Sequence, residues 1–131
     1  DLDHFKTIND TYGHAVGDMV LREAATAMRT AARREDSVCR FGGEEFLVIC
    51  PNTDLASALL SAERLRKVIA TQHIGLGQTG KHITASIGVA MRETDTADID
   101  ALVSAADQAL YAAKNSGRDR VCTPVAIQQE L

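Results

Sequence analysis

The chain is 131 residues long, enough for one domain with a real core. At 45% hydrophobic and 24% charged residues, its composition excludes a disordered segment. A formal net charge of −4 argues against binding a nucleic-acid polymer through a basic face, so a polyanionic ligand must be met by locally placed cations and a metal.

In chain order, the sequence opens on Asp1-Leu2-Asp3 without a cap or lead-in. Residues before Asp1 are therefore expected in the native protein: a strand that ends at the acidic pair, and further upstream a sensory or dimerising region. Phe5 to Tyr12 reads as a short helix ended by Gly13. Asp18 precedes a second helix, predicted to run to about Glu35, with Val20, Leu21, Ala24, Ala25, Met28, Ala31 and Ala32 on its apolar face. Val38–Phe41 and Phe46–Cys50 read as paired strands. Asp54 is placed to cap a third helix, whose apolar face carries Leu55, Ala58, Leu59, Ala62, Leu65, Val68 and Ile69. Residues 74–82 form a Gly-rich loop, Ile83–Met91 alternates as a strand, Asp98–Lys114 is a fourth helix and Arg120–Thr123 a last short strand, followed by a loosely held tail after Pro124. Two consecutive strands exclude a purely parallel doubly wound sheet. The expected class is α/β in the α+β sense: a central, mostly antiparallel sheet flanked by helices, its central strand supplied from before Asp1.

Cys39, Cys50 and Cys122 are odd in number, lack C-x-x-C spacing and sit in apolar strand-like stretches. They read as buried thiols of a reducing, cytoplasmic compartment rather than as disulfides or zinc ligands. His4, His14, His73 and His82 form no ligand cluster by spacing, and no apolar stretch approaches membrane-spanning length.

The most informative run is Phe41-Gly42-Gly43-Glu44-Glu45-Phe46. Two glycines inside a strand-like stretch break the pairing and permit positive φ, which suits a tight turn. Two adjacent carboxylates repel unless a cation lies near them. Glycines that let a ligand approach the backbone, next to hard oxygen ligands, point to a divalent cation and a phosphorylated substrate. The plain alternative is a hairpin with a solvated tip.

The run from Asp1 to His14, with Gly17-Asp18 and Arg40 to Phe46, strongly resembles the GGDEF-domain diguanylate cyclases. Further matches are Ala62–Arg66, Ser86–Ala90, Ala106–Lys114 and Ser116–Arg118, so the resemblance covers nearly the whole chain. It implies a fold similar to the palm of nucleotide cyclases and polymerases. It also implies condensation of two GTP into cyclic di-GMP.

What the resemblance implies for individual residues is as follows. Asp1, the Leu2 carbonyl and Glu44 would hold Mg²⁺ or Mn²⁺, with Glu45 as second-metal ligand or general base. Asn9 and Asp18 would read guanine, with Leu21 lining the base pocket. Lys6, Lys114 and Arg118 would contact the β- and γ-phosphates, assisted by backbone N–H groups near His4 and Phe5, and Gly42 and Gly43 would let the substrate approach the chain. Arg33, Asp36 and Arg64 match a product-inhibition site. Cyclisation would require a homodimer.

Each assignment has a structural alternative: Asp1 or Asp18 as a helix cap, Asn9 as a turn residue, Leu21 as core, Lys114 and Arg118 as ordinary basic groups at a helix end, and Arg33–Asp36 as an i,i+3 ion pair. The role of Asp3 stays open, and Asp119 stands where many relatives carry Asn. A cyclic di-GMP receptor without turnover, or a GTP-binding interaction domain, are the competing functions.

Overall fold

A computed structural model of the chain describes residues 1–71 and 82–124. The predicted loop at 74–81, His73 and the tail after Pro124 lie outside the described residues. The elements are α1 (Phe5–Tyr12), α2 (His14–Ala31), β1 (Ser37–Gly42), β2 (Glu45–Ile49), α3 (Leu55–Thr71), β3 (Ile87–Gly88), α4 (Ile99–Asn115) and β4 (Val121–Cys122).

Helix α1 begins after His4, whose φ of 56° turns the chain, and ends at Gly13 with φ 89° and ψ 164°. Only glycine takes that corner without strain. It lets α2 start at His14 rather than after Asp18, and Gly17 N donates to Gly13 O at 3.1 Å. Asp18 therefore lies inside α2 and is not its cap. The helix also stops earlier than predicted: Ala32 is extended at φ −70° and ψ 155°. Arg33 and Asp36 then form a turn of their own, with Asp36 N on Arg33 O at 3.0 Å. Asp54 caps α3 as predicted, its Oδ1 accepting from Ser57 N at 2.8 Å, and Asp98 does the same for α4 through Ala101 N at 2.8 Å.

Strands β1 and β2 form the predicted antiparallel hairpin, with Val38 opposite Val48 and Arg40 opposite Phe46. An irregularity between Arg40 and Gly42 leaves Phe41 61% exposed at its tip. β3 and β4 pair in parallel, and Leu2 bridges Ala85 antiparallel. The 83–91 stretch is thus a regular strand only at Ile87–Gly88, but its extended backbone is used on both edges. Asp3 N donates to Thr84 O and Ser86 N to Asp1 O on one side, while Ile87 N and Val89 N donate to Arg120 O and Cys122 O on the other. Alternate residues of an extended chain point their N–H groups to opposite edges, so 84–89 runs between 1–3 and 120–122. Leu2 N on Glu44 O, 3.3 Å, joins the same segment to the hairpin turn. Among the described residues 84–89 occupies the middle, where the sequence reading placed a strand from before Asp1.

Helices pack on this framework around Leu2, Phe5, Ile8, Val20, Leu21, Ala24, Met28, Leu65, Ile69, Ile83 and Ala85. Helix α4 lies directly on β3: a Cβ at Gly88 would stand 2.1 Å from Ala106 O and 2.4 Å from Leu110 N. All three thiols are free, but Cys39 is exposed and Cys50 and Cys122 are half-buried, correcting the expectation that all are buried.

Candidate functional site

The segment Asp1-Leu2-Asp3 is fixed from both sides by the backbone bonds above; Asp1 and Asp3, two positions apart, share one side of it, and Leu2 enters the core on the other. The Asp3 carboxylate turns inward, with the residue 5% exposed. It accepts from Thr84 Oγ1 at 2.7 Å, Ser86 Oγ at 2.6 Å and Asp119 N at 3.0 Å. Asp3 is therefore a structural hub joining the opening segment, the central extended chain and the loop after α4.

The Asp1 carboxylate faces Lys114, in the last turn of α4, with Nζ 3.1 Å from Oδ2. The contact is an ion pair without hydrogen-bond alignment, and Asp1 Oδ2 is buried and accepts no hydrogen bond. Leu2 N donates to Glu44 O at 3.3 Å, beside the Asp1 carboxylate. The hairpin turn and the chain's opening thus meet. Among the described residues no three His, Cys, Asp or Glu side chains converge on one point. Asp1, Glu44 and Glu45 therefore form no three-carboxylate cage, because adjacent residues at the start of a strand project apart. The smaller donor set of the Asp1 carboxylate, Leu2 carbonyl and Glu44 carboxylate is chemically suited to Mg²⁺ or Mn²⁺: hard oxygens, few in number, with a buried acceptor oxygen still unsatisfied.

The turn itself differs from the sequence expectation. Gly43 has φ 50°, but Gly42 stays in β1 opposite Glu45 and does not adopt positive φ. Nothing lies within 4 Å of a Cβ built at either glycine, so neither makes room for protein and both leave backbone open to a ligand. Arg40 Nε donates to Gly43 O at 2.9 Å and braces the turn.

The start of α1 lies immediately after these acids. Its cap, His4, offers no side-chain hydrogen bond to the first turn, and that turn holds no acid. The orphan N–H groups around Phe5 and Lys6 carry the partial positive charge of a helix N-terminus. Among the described residues neither Lys6 nor Arg118 is paired with a carboxylate, and both are exposed. Arg118 sits at φ 63° with its N–H on Ala113 O at 3.0 Å. Asp119 is tied on one side to Asp3 and on the other, through Oδ1, to Arg66 Nη1 at 2.7 Å. An acid at that position is thus matched by a cation from α3, which Asn would not require.

Asn9, on the same face of α1 as Phe5, places Oδ1 in a buried position with no hydrogen bond. Asp18 and Leu21 line an open groove of about 580 Å³ with Arg22, Arg29, Phe46 and others, between α2 and the hairpin. Leu21 is at once a core residue, 6% exposed, and a wall of this groove.

At the far end of α2, Arg33 clasps Asp36 through Nε–Oδ2 at 3.3 Å and Nη2–Oδ1 at 2.9 Å. Arg33 N adds a bond to Asp36 Oδ2 at 2.9 Å, and Arg33 Nη2 also donates to Thr53 Oγ1. This hydrogen bonding holds the Asp36 carboxyl below its ordinary range against the opposing effect of burial. The side chains are 29% and 1% exposed, so Arg33 can be reached and Asp36 cannot. Arg64 is exposed and donates to Ser61 Oγ at 3.2 Å, within its own helix.

The sequence reading missed Asp3 as a hub and Gly17 as a packing position. Asp3 left one signal, its place two residues from Asp1 on the same side of the opening segment. Gly17 left another, a glycine inside a helical run.

The family model for "Diguanylate cyclase, GGDEF domain" matches residues 1–120. The chain is 44% identical over 121 residues to diguanylate cyclase A of Treponema denticola, covering 92% of this chain and 33% of that protein. It is 45% identical over 123 residues to the response regulator PleD of Caulobacter vibrioides, covering 92% and 27%. It therefore spans about a third or less of these relatives' length. Among solved structures, the active GGEEF domain of a diguanylate cyclase from Vibrio cholerae superposes with a TM-score of 0.85 at 36% identity, covering 93% of this chain and 77% of that one. The coiled coil and GGDEF domain of DgcB from Caulobacter crescentus, in complex with c-di-GMP, gives 0.85 at 34% identity, covering 93% and 65%. The chain belongs to the GGDEF domain family.

Proposed function

We propose that this chain is the catalytic domain of a diguanylate cyclase, which condenses two GTP into cyclic di-GMP and releases two pyrophosphates. One observation carries the reading. Among the described residues, the buried side-chain oxygens that accept no hydrogen bond are Asp1 Oδ2 and Asn9 Oδ1. One belongs to the expected metal end of a GTP site and the other to its base end. Asp1 Oδ2 has the Lys114 ion pair at 3.1 Å but no hydrogen bond, whereas Asn9 Oδ1 has neither, and a buried acceptor left unpaired costs about 1–3 kcal/mol, which a ligand can recover.

In this reading Asn9 and Asp18 engage the guanine edge, an amide and a carboxylate facing its N1–H and N2–H₂ donors and O6 acceptor. Leu21 forms the apolar wall. The N-terminus of α1, Lys6 and Arg118 hold the β- and γ-phosphates, and Lys114 moves between Asp1 and the phosphates. Gly42 and Gly43 keep side chains out of the substrate's way. Asp1, the Leu2 carbonyl and Glu44 would hold Mg²⁺ or Mn²⁺, which would supply charge neutralisation at the α-phosphate and lower the pKa of the ribose 3′-hydroxyl. Glu45 receives the hydroxyl proton as the 3′-oxygen bonds to phosphorus and the bond to the leaving pyrophosphate breaks. Each 3′-hydroxyl must face the other nucleotide's α-phosphate, so two domains meet as a homodimer. Arg33, held by Asp36, together with Arg64, would bind the anionic product and slow the reaction.

The test is GTP turnover by the full-length protein, with the product identified by mass. Cyclic di-GMP from the wild type and none from a folded Glu45→Ala variant supports the proposal. Product binding without product formation at high enzyme concentration would instead identify a receptor.

A further inference from the structure

We infer that Gly17 is a positioning residue for base recognition: its missing side chain is the socket that seats the Asn9 carboxamide. The inference rests on the proposed role of Asn9 in reading guanine.

Gly17 lies in the first turns of α2 and is buried. Its φ is not in the positive range, so the backbone there does not require glycine. Glycine inside a helix is unfavourable relative to alanine, and space is what it can offer in return. The occupant of that space is specific. A Cβ at Gly17 would fall 1.8 Å from Asn9 Oδ1, 3.0 Å from Asn9 Cγ and 3.3 Å from Phe5 Cζ. Phe5 and Asn9 are four residues apart on α1 and so project from the same face. The Phe5 ring walls one side of the socket and the amide oxygen rests against the Gly17 backbone. The amide finds no protein hydrogen-bond partner for that oxygen, so packing is what sets its orientation there. Asp18 follows Gly17 immediately and lines the groove beside α2. The Gly17-Asp18 pair thus supplies the seat for one base-reading group and carries the other.

A Cβ at 1.8 Å cannot be accommodated without turning the carboxamide out of the socket. Gly17→Ala should therefore act through Asn9 and should act on the base rather than on the phosphates. The experiment is a double-mutant cycle on the full-length protein, read as the dissociation constants of GTP and of inorganic tripolyphosphate, which lacks the base. Asn9→Ala and Gly17→Ala should each weaken GTP about tenfold, the worth of one hydrogen bond, and leave tripolyphosphate within about twofold. The double variant should bind GTP no worse than either single variant. With the amide gone, alanine at 17 should also raise the unfolding midpoint relative to Asn9→Ala alone, because the helix gains and the one tight contact left, Phe5 Cζ at 3.3 Å, is relieved by a small shift of the ring into the space the amide vacates. Unchanged GTP affinity in Gly17→Ala, equal losses for GTP and tripolyphosphate, or additive losses in the double variant would each overturn the inference. If Asn9→Ala leaves GTP affinity intact, the guanine-reading role of Asn9 fails instead, and the inference falls with it. Should Gly17→Ala alone not fold, a folded double variant supports the socket and an unfolded one overturns it.

Discussion

Truncating Asp3 should destabilise the domain more than any exposed acid. The Asp3→Ala change removes three accepted hydrogen bonds, from Thr84 Oγ1, Ser86 Oγ and Asp119 N. Bonds to a charged acceptor contribute about 1.5–3 kcal/mol each. Ser86 is 0% exposed, so its hydroxyl loses its partner where water does not reach. Against this stands the relief of a buried carboxylate's desolvation, several kcal/mol. The net loss is about 3–5 kcal/mol, the usual range when one member of a buried ionic network is deleted. With a urea slope of about 1–3 kcal/mol per molar, the midpoint should fall by roughly 2 M. Asp3→Asn separates hydrogen bonding from shape. Its amide nitrogen can point at Ser86, whose hydroxyl rotates to accept, while its oxygen still takes the Asp119 N–H and the Thr84 hydroxyl. That variant should lose only about 1–2 kcal/mol. Urea denaturation followed by circular dichroism ranks the three proteins. An Asp3→Ala loss below about 1 kcal/mol, or equal losses for Ala and Asn, would refute the hub.

Three further outcomes are expected. The Arg33 hydrogen bonds depress the Asp36 carboxyl below its ordinary 3.8, so its stabilisation is complete above that value and is lost as pH falls through the lower folded value; Asp36→Asn should flatten the acid limb of a stability–pH profile, and an unchanged limb would count against the clasp. Gly88→Ala forces β3 away from α4 and should cost at least about 1–3 kcal/mol, with an unchanged urea midpoint contradicting the close packing. Asp18→Ala should reduce the preference for GTP over ATP in a turnover assay, and intact selectivity would remove Asp18 from base recognition.

Local pattern carried the helices and the hairpin. Asp54 caps as its position before an apolar periodic run implies, Asp98 proves to be the cap of α4 rather than its first residue, and the β1–β2 register follows from the two apolar stretches around the Gly-Gly turn. The start of α2 was not readable in the same way. The apolar period begins at Val20, but the chain is already helical from His14 because Gly13 turns the corner. The same displacement moves Asp18 from cap to helix face, where its carboxylate is available to a ligand rather than spent on the backbone.

What stayed hidden depends on distance along the chain. Asp1 and Asp3 are the same residue type two positions apart, and alternation puts them on one side of the segment without saying what each will meet there. Three partners separated by 81, 83 and 116 residues make Asp3 structural. Asp1 Oδ2, by contrast, has one cation at 3.1 Å and no hydrogen bond. Gly17 and Gly42 make the same point for glycine. Neither has positive φ, yet a Cβ at one would strike Asn9 while a Cβ at the other would meet nothing within 4 Å. The first glycine shapes a side chain and the second leaves backbone open, and only the fold distinguishes them. Residue type and local spacing are the same in each pair, so what separates a packing role from an open one is which partners the fold brings to the side chain.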